Sequence, residues 1–421
     1  MVKNNVLIYV SIIFCILVYS KILPVQTEFI NNSFINSVDI TSIYGKVVSN
    51  PTKLSDKYYS VTVKPQFVKN NKCLTSSSYG KIKLLISSSV IEAFYPDKLY
   101  SKNKNIYNKV LPIEEGIYIN CDVTNFIDKN SLETVFVCKE INRTFYKNSI
   151  IDKFYRFRAN LRIQFKRLMS YWGNAGGLVL ALISGSKEYL DNNINNSFRL
   201  TGVSHILALS GMHLALMNNL SGIIKNKTKY KKIAIIIQLL IILLFVFFAG
   251  FSPSLLRALI CFSLISICTF LDITKINNIN LLVSTFLIHL IIKKEDLFNI
   301  SFMYSYLALL GIFLFSPIVN RFLTKFLIPY ISNNLSSSIS ANVFTSVVSI
   351  KFFNTYSFGG IFCTLFVSPV ITIFIYLSLI FILINLIFPF TCVYAKFVIN
   401  LIYNLICYIV NIFKIIPVIK F

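Results

Sequence analysis

Hydrophobic positions change their spacing along this chain, and each change predicts a different kind of element. Residues 6–23, VLIYVSIIFCILVYSKIL, form a largely apolar run long enough to anchor in a bilayer. A signal peptide has a similar core, but the following K-I-L-P-V-Q-T offers no small-residue cleavage site. Residues 1–24 are therefore read as an uncleaved anchor, with Lys3 holding the N-terminus in the cytoplasm and the next residues outside. From 25 to 150 the period shortens to two. SIYGKVV, YYSVTVKPQFV, GKIKLLISS, GIYINCDVTNF and LETVFVCKEI are alternating or β-branched runs bounded by Asn, Pro, Gly and Ser, which predicts five strands. Five strands of this length suit a small OB-like barrel.

Residues 152–172, DKFYRFRANLRIQFKRLMSYW, switch to steps of three and four. Phe154, Phe157, Leu161, Phe165, Leu168 and Trp172 form one stripe, and Arg156, Arg158, Arg162, Lys166 and Arg167 lie off it. This pattern predicts a basic amphipathic helix in the membrane interface over 151–173. Its cations suit lipid headgroups, with DNA as the other anionic partner. Residues 174–421 are mostly apolar. The stretch NAGGLVLALISGSKEYL suggests a broken or re-entrant segment. Spans then fall near 203–224, 233–250, 254–271, 279–292, 300–319, 339–357, 361–389 and 392–416. Segment 279–292 is short, and 361–389 is long enough to be a helical hairpin. The basic run K-N-K-T-K-Y-K-K at 225–232 should face the cytoplasm, so 203–224 runs inward from the outer face. The fold class is thus a polytopic α-helical membrane protein with an N-terminal extracytoplasmic small β-barrel.

Composition sharpens this picture. The 421 residues are 55% hydrophobic, which excludes an ordinary soluble enzyme. The net charge is +24, and the positive-inside rule accounts for part of it. Residues 25–168, however, hold 22 Lys+Arg against 12 Asp+Glu. A basic domain on the outside suits an anionic partner such as nucleic acid, headgroups or a wall polymer. The nine cysteines show no C-x-x-C spacing, so no zinc ribbon or redox pair is signalled. Cys73, Cys121 and Cys138 leave room for one disulfide, and Cys121–Cys138 is the nearer pair in sequence.

The densest chemistry lies in FRLTGVSHILALSGMHL, residues 198–214. Polar groups inside a membrane are costly and usually mark a pathway or a site. Arg199, Gly202, Ser204, His205, Ser210, Gly211 and His213, two of the three histidines among them, crowd into an otherwise apolar segment. On one continuous helix His205 and His213 would sit about 80° apart around the axis and about 12 Å apart along it. Neutral imidazoles and hydroxyls give a polyanion polar walls without a deep charge trap. As interhelical glue, the same groups would simply satisfy one another.

The wording G-V-S-H-I-L-A-L-S-G-M-H resembles the signature of the ComEC-type competence channel family. Weaker resemblances follow in order. ISGSKEYL carries Gly185; AGFSPSLLRALI carries Gly250, Ser252, Ser254 and Arg257; FNISFMYSYLALLGI carries Ser305, with Met303 where the family usually has glutamine. FTSVVSIKFFNTYSFGGIFCTLFVSPV carries Pro369, and Thr364 where an asparagine is usual. The resemblance implies an extracytoplasmic OB-like domain over 25–150 and a channel domain over 174–421. It also implies transport of single-stranded DNA across the cytoplasmic membrane. Arg199, Gly202, Ser204, His205, Ser210, Gly211, His213, Ser252 and Arg257 would form the DNA path, and Gly185, Gly250, Ser305, Thr364 and Pro369 structural motif positions. Arg257 can act as a phosphate contact through its planar fork or as a headgroup snorkel.

Many family members end in a metallo-β-lactamase-like domain proposed as a nuclease. This chain shows no H-x-H-x-D-H cluster and no G-x-x-x-x-G-K-[ST] loop, so neither metal, cofactor nor nucleotide hydrolysis is expected. A partner must then drive the DNA: a cytoplasmic helicase-like motor, with an extracytoplasmic DNA receptor delivering the strand. The other partners are the bilayer and the strand itself. Two other classes compete. A membrane-embedded hydrolase could pair Ser204 or Ser210 with His205 or His213, though no acidic partner or G-x-S-x-G elbow accompanies them. A small-solute transporter would be expected to show internal repeats, and none is visible.

Overall fold

The computed structural model describes residues 10–420 except positions 14, 17, 19–29, 32–38, 56, 72, 73, 97–109, 128–133, 217–230, 274–276 and 417. Cys73 and most of the basic run at 225–232 lie outside the described residues. The chain divides into two compact units. One comprises Gln26–Leu180 and Ser186–Tyr189; the other comprises Met1–Val25, Ala181–Gly185 and Leu190–Phe421.

In the first unit the five alternating runs form five principal strands: β1 (Ile40–Val47), β2 (Tyr58–Asn70), β3 (Ile82–Ser87), β4 (Tyr118–Ile127) and β5 (Thr134–Phe145). Strand β1 pairs with β2 and β4, β2 with β3, and β4 with β5, all antiparallel. A parallel pairing of β3 with β5 closes the barrel. Alternation sends Ile43, Val63, Leu84, Ile86, Ile119, Cys121 and Phe136 into one core. It leaves the other face of each strand outside. Gly45 sits at a register shift, and a Cβ there would lie 2.6 Å from the Lys64 carbonyl oxygen. Cys121 and Cys138 are both buried in this core as thiols. Helix α1 (Ser88–Phe94) is capped by the Ser87 hydroxyl, which accepts from Val90 N–H, and it adds Ile91 to the core.

Helix α2 (Ile150–Ser170) is amphipathic as its spacing predicts, but its charged side is the buried one. Arg162 donates to Glu114 at 2.8 Å and to Ser186 at 2.7 Å. Lys166 bridges Glu114 at 2.5 Å and Glu188 at 3.0 Å. Arg158 pairs with Glu115, and Asp152 with Lys46, both at 2.7 Å. The apolar Ile150, Ile151, Phe154, Phe157 and Leu161 are exposed. The expectation that the helix offers its cations to headgroups is therefore corrected for Arg158, Arg162 and Lys166, whose guanidinium and ammonium groups are spent on carboxylates. Burial raises the pKa of the Glu114 carboxyl, but the charges of Lys166 and Arg162 and their hydrogen bonds outweigh it and bring it down to about 2.

The second unit is helical. The described positions between 10 and 18 form helix, and Cys15 packs on the cluster of Leu282, Leu290, Phe302 and Tyr306. Along the chain, helix α3 (Asn174–Ser184) is followed by α4 (Asn192–Leu200). Next come α5 (Ser204–Leu207) and α6 (residues 211–216). Then follow α7 (Lys231–Ala249), α8 (Pro253–Phe270), α9 (Asn278–Ile292), α10 (Ile300–Leu323), α11 (Pro329–Phe353), α12 (Gly359–Ile387) and α13 (Cys392–Phe413).

Five of these are long and apolar enough to cross a membrane: Lys232–Ala249, α8, α10, α12 and α13. The run 361–389 is one helix of 29 residues rather than a hairpin. Pro369 lies inside it, tolerated because neighbouring groups can satisfy the freed backbone. Helix α11 begins ten residues before the span predicted from 339. Its buried Ser332, Ser336 and Ser340, at every fourth position, pack it against α10. Ser336 hydrogen-bonds Ser316 at 3.1 Å, and a Cβ on Gly311 would lie 2.5 Å from the Ser340 carbonyl oxygen.

Candidate functional site: a broken helix beside a buried arginine

The signature segment is not one helix. The chain leaves α5 at Ala208, whose ψ of 134° is extended, and resumes helix at Gly211. Ser210 begins the new helix. Its Oγ accepts from Met212 N–H at 3.3 Å and its carbonyl oxygen accepts from His213 N–H at 3.1 Å. His213 reaches back, and its Nδ1 accepts from Ser210 N–H at 3.2 Å. This is a capping box in which imidazole replaces the usual Glu or Gln. Accepting at Nδ1 places the imidazole proton on Nε2. That nitrogen is buried and has no partner among the described residues, and the residue is only 2% exposed. His205 instead lies exposed on α5, so the expected single-helix relation between the two histidines is replaced by a break. Exposed Ser204 and Arg199 likewise stand apart from the Ser210–His213 box.

Three of the predicted glycines hold a positive φ, which other residues rarely adopt. Gly185 (φ +72°) has Leu209 against it, where a Cβ would stand 2.8 Å from a Leu209 methyl and 3.9 Å from the Ala249 carbonyl oxygen. Gly250 (φ +112°) joins α7 to α8. Gly202 (φ +78°) admits Ser357 and Gly360 at the start of α12. Helix α12 then follows the broken segment: Ser368 Oγ lies 3.8 Å from Met212 Sδ, and Tyr376 O–H donates to the Leu216 carbonyl oxygen at 3.4 Å. Thr364 faces its own helix, donating to the Gly360 carbonyl oxygen at 2.6 Å.

Gly211 is where the break meets α8. A Cβ there would stand 3.0 Å from an Arg257 terminal nitrogen. Arg257 is 8% exposed. It donates to the Ser305 carbonyl oxygen at 3.2 Å, its Nε has no partner, and no carboxylate pairs with it among the described residues. Ser252, the residue before Pro253 at the start of α8, also has a buried and unpartnered Oγ. Among the described residues of this unit, the other such side-chain atoms are on Ser340, Ser357 and Asn385.

Sequence reading missed His289, which is fully buried on α9. Its Nδ1 lies 3.2 Å from Tyr306 Oη and its Nε2 3.1 Å from Asp296 Oδ2, while Lys293 holds the other Asp296 oxygen at 3.2 Å. The available signal was an acid, Asp296, seven residues after a histidine at the end of a short apolar run. Every polar atom of His289 is partnered, which marks it as a brace between α9 and α10. No group of three or more potential metal ligands occurs among the described residues.

The arrangement defines a class: a membrane protein whose signature is a broken helix beside an uncompensated buried cation. Comparison with known proteins assigns it further. The family described as Competence protein matches residues 182–421, more than half of the chain, so the chain belongs to that family, in its ComEC-type form. The chain is 23% identical over 234 residues to ComE operon protein 3 of Bacillus subtilis (strain 168), covering 52% of this chain and 30% of that protein. The chain thus spans about a third of that relative's length. No solved structure matches.

Proposed function

We propose that the chain takes part in DNA uptake as a channel for single-stranded DNA across the cytoplasmic membrane, with multiple spans and the barrel outside. The observation that carries this reading is Arg257, a buried guanidinium with no carboxylate, set against Gly211 at the break. A permanent cation buried without an anion is costly, so it implies that an anion occupies the site in use. Orphan donors on His213 and Ser252 favour a phosphate over a neutral solute. The DNA path is proposed to run past Ser210, Gly211, His213, Ser252 and Arg257. His205, Ser204, Gly202 and Arg199 form its outer approach. A cytoplasmic helicase-like motor would pull the strand, and an extracytoplasmic receptor would deliver it.

The Ser–His hydrolase reading gains nothing from the geometry. Ser210 Oγ lies 3.4 Å from His213 Nδ1, but that nitrogen already accepts from the Ser210 backbone, and no acid among the described residues orients Nε2. The test is transformation frequency normalised to membrane abundance. Arg257→Gln should leave abundance intact and cut transport; equal transport at equal abundance removes this reading.

A further inference from the structure

The outer wall of the barrel carries a second feature. Four rings from four neighbouring strands form a cluster: Tyr44 on β1, Tyr118 on β4 and Phe145 on β5 each touch the other two, and Phe67 on β2 joins through Tyr44. Their centroids are 5.7–6.2 Å apart and their planes lie within 26° of parallel. Direct cross-strand register accounts for the Tyr44–Phe67 and Tyr118–Phe145 pairs, which also stabilise the sheet. Stability alone does not call for the rest. Phe67 is 52% exposed at the edge of the cluster, where a water-facing wall would carry a polar residue. Lys147 places its ammonium 4.5 Å from the Tyr118 ring centre, and Arg143 lies 5.0 Å from Phe145. Both cations are exposed, and among the described residues neither pairs with a carboxylate. The nearby Asp152 is spent on Lys46, and Asp122 and Glu140 stand opposite each other four residues farther along β4.

We infer that this ring cluster is a stacking platform for single-stranded nucleic acid, with bases on Phe67, Tyr44 and Phe145 and phosphates on Arg143 and Lys147. Tyr118, largely covered by Lys46 and Lys147, is its floor. Flat apolar faces interleaved with cations recognise a polyanion that also carries flat rings. A lipid headgroup or a wall polyphosphate offers the charge without the rings. This inference rests on the DNA-uptake reading and adds to it a docking site distinct from the Arg257 neighbourhood.

The experiment uses the full chain in nanodiscs of uncharged lipid, with a fluorescent 12-mer of thymidylate carrying one 4-thiothymidine. An abasic oligonucleotide of the same length is the charge control, and an uncharged glucan the sugar control. Phe67→Ala should weaken thymidylate binding by about fivefold or more, Phe67→Leu similarly, and Phe67→Trp should restore it, because stacking needs a planar face. Lys147→Gln should flatten the salt dependence. Crosslinks should fall within β1, β2 and β5. The platform is overturned if the abasic chain binds as tightly, if the glucan binds instead, or if Phe67→Ala is neutral. When crosslinks then map to 210–213 or 252–257, the channel reading stands without the platform. When neither oligonucleotide binds and Arg257→Gln leaves transport unchanged, both fall.

Discussion

Buried cations occur in both units of this protein, and they are settled in opposite ways. In the barrel unit Arg158, Arg162 and Lys166 each meet a carboxylate within 3.0 Å. In the helical unit Arg257 is buried with a backbone carbonyl and no acid among the described residues. The histidines repeat the contrast: His289 has a partner on each ring nitrogen, and His213 leaves Nε2 empty. A buried charge that is matched holds a fold together; the unmatched one is what the proposed DNA contact rests on.

This contrast can be broken at its strongest point first. Glu114→Gln should strand two buried cations on one remaining carboxylate, Glu188, and cost about 3–5 kcal/mol of stability. Thermal unfolding of the purified chain should show it; an unchanged melting temperature means the network is not structural. Next, Arg257→Gln should behave in the reverse sense. It removes an uncompensated charge, so stability should hold or rise, while transport falls by about tenfold or more, the value of one charge-assisted hydrogen bond to phosphate. Arg257→Lys keeps the charge but loses the fork, and should recover only part of the transport.

The histidines make a finer comparison. His289→Leu should lower abundance, since Asp296 loses a buried partner, whereas His213→Leu should preserve abundance and reduce transport. If immunoblots show both proteins at parental level and transformation is equal, the matched and unmatched histidines do not differ in role. His205→Leu, on the exposed turn before the break, should have a smaller effect than His213→Leu.

The acid response of the barrel unit is the mildest test. The Glu114 carboxyl is lowered to about 2 from an ordinary 4.5, so its stabilisation is fully present above pH 4.5. It is lost as pH falls from there toward about 2. Glu188, whose carboxyl is raised by burial against the pull of Lys166, gains on protonation and offsets part of that loss. Melting temperature from pH 7 to pH 3 should fall in the parent, and less steeply in Glu114→Gln. A cysteine at Asn226, finally, should resist impermeant reagents from outside if the orientation read from the lysines holds.

Much of this was legible in the residues themselves. Period-two runs specify five barrel strands because a strand must bury alternate side chains. Apolar length specifies the candidate spans because a bilayer needs about twenty apolar residues. The G-V-S-H…S-G-M-H wording points to the family that residues 182–421 match. Three things were decided only by the tertiary structure. Amphipathicity located the stripe on α2 but not its direction; Glu114, Glu115 and Glu188, all distant in sequence, turned the cations inward. Helical spacing placed His205 and His213 on one rod, but α12 and Arg257 approach at Gly202 and Gly211 and pack around a broken one. His289 reads alone as a lone apolar-face histidine, and only folding brings Tyr306 and Asp296 to its two nitrogens. Periodicity is local and survives in one dimension. Charge pairing is set by desolvation and Coulomb energy between distant residues, and that is determined only when the chain has packed.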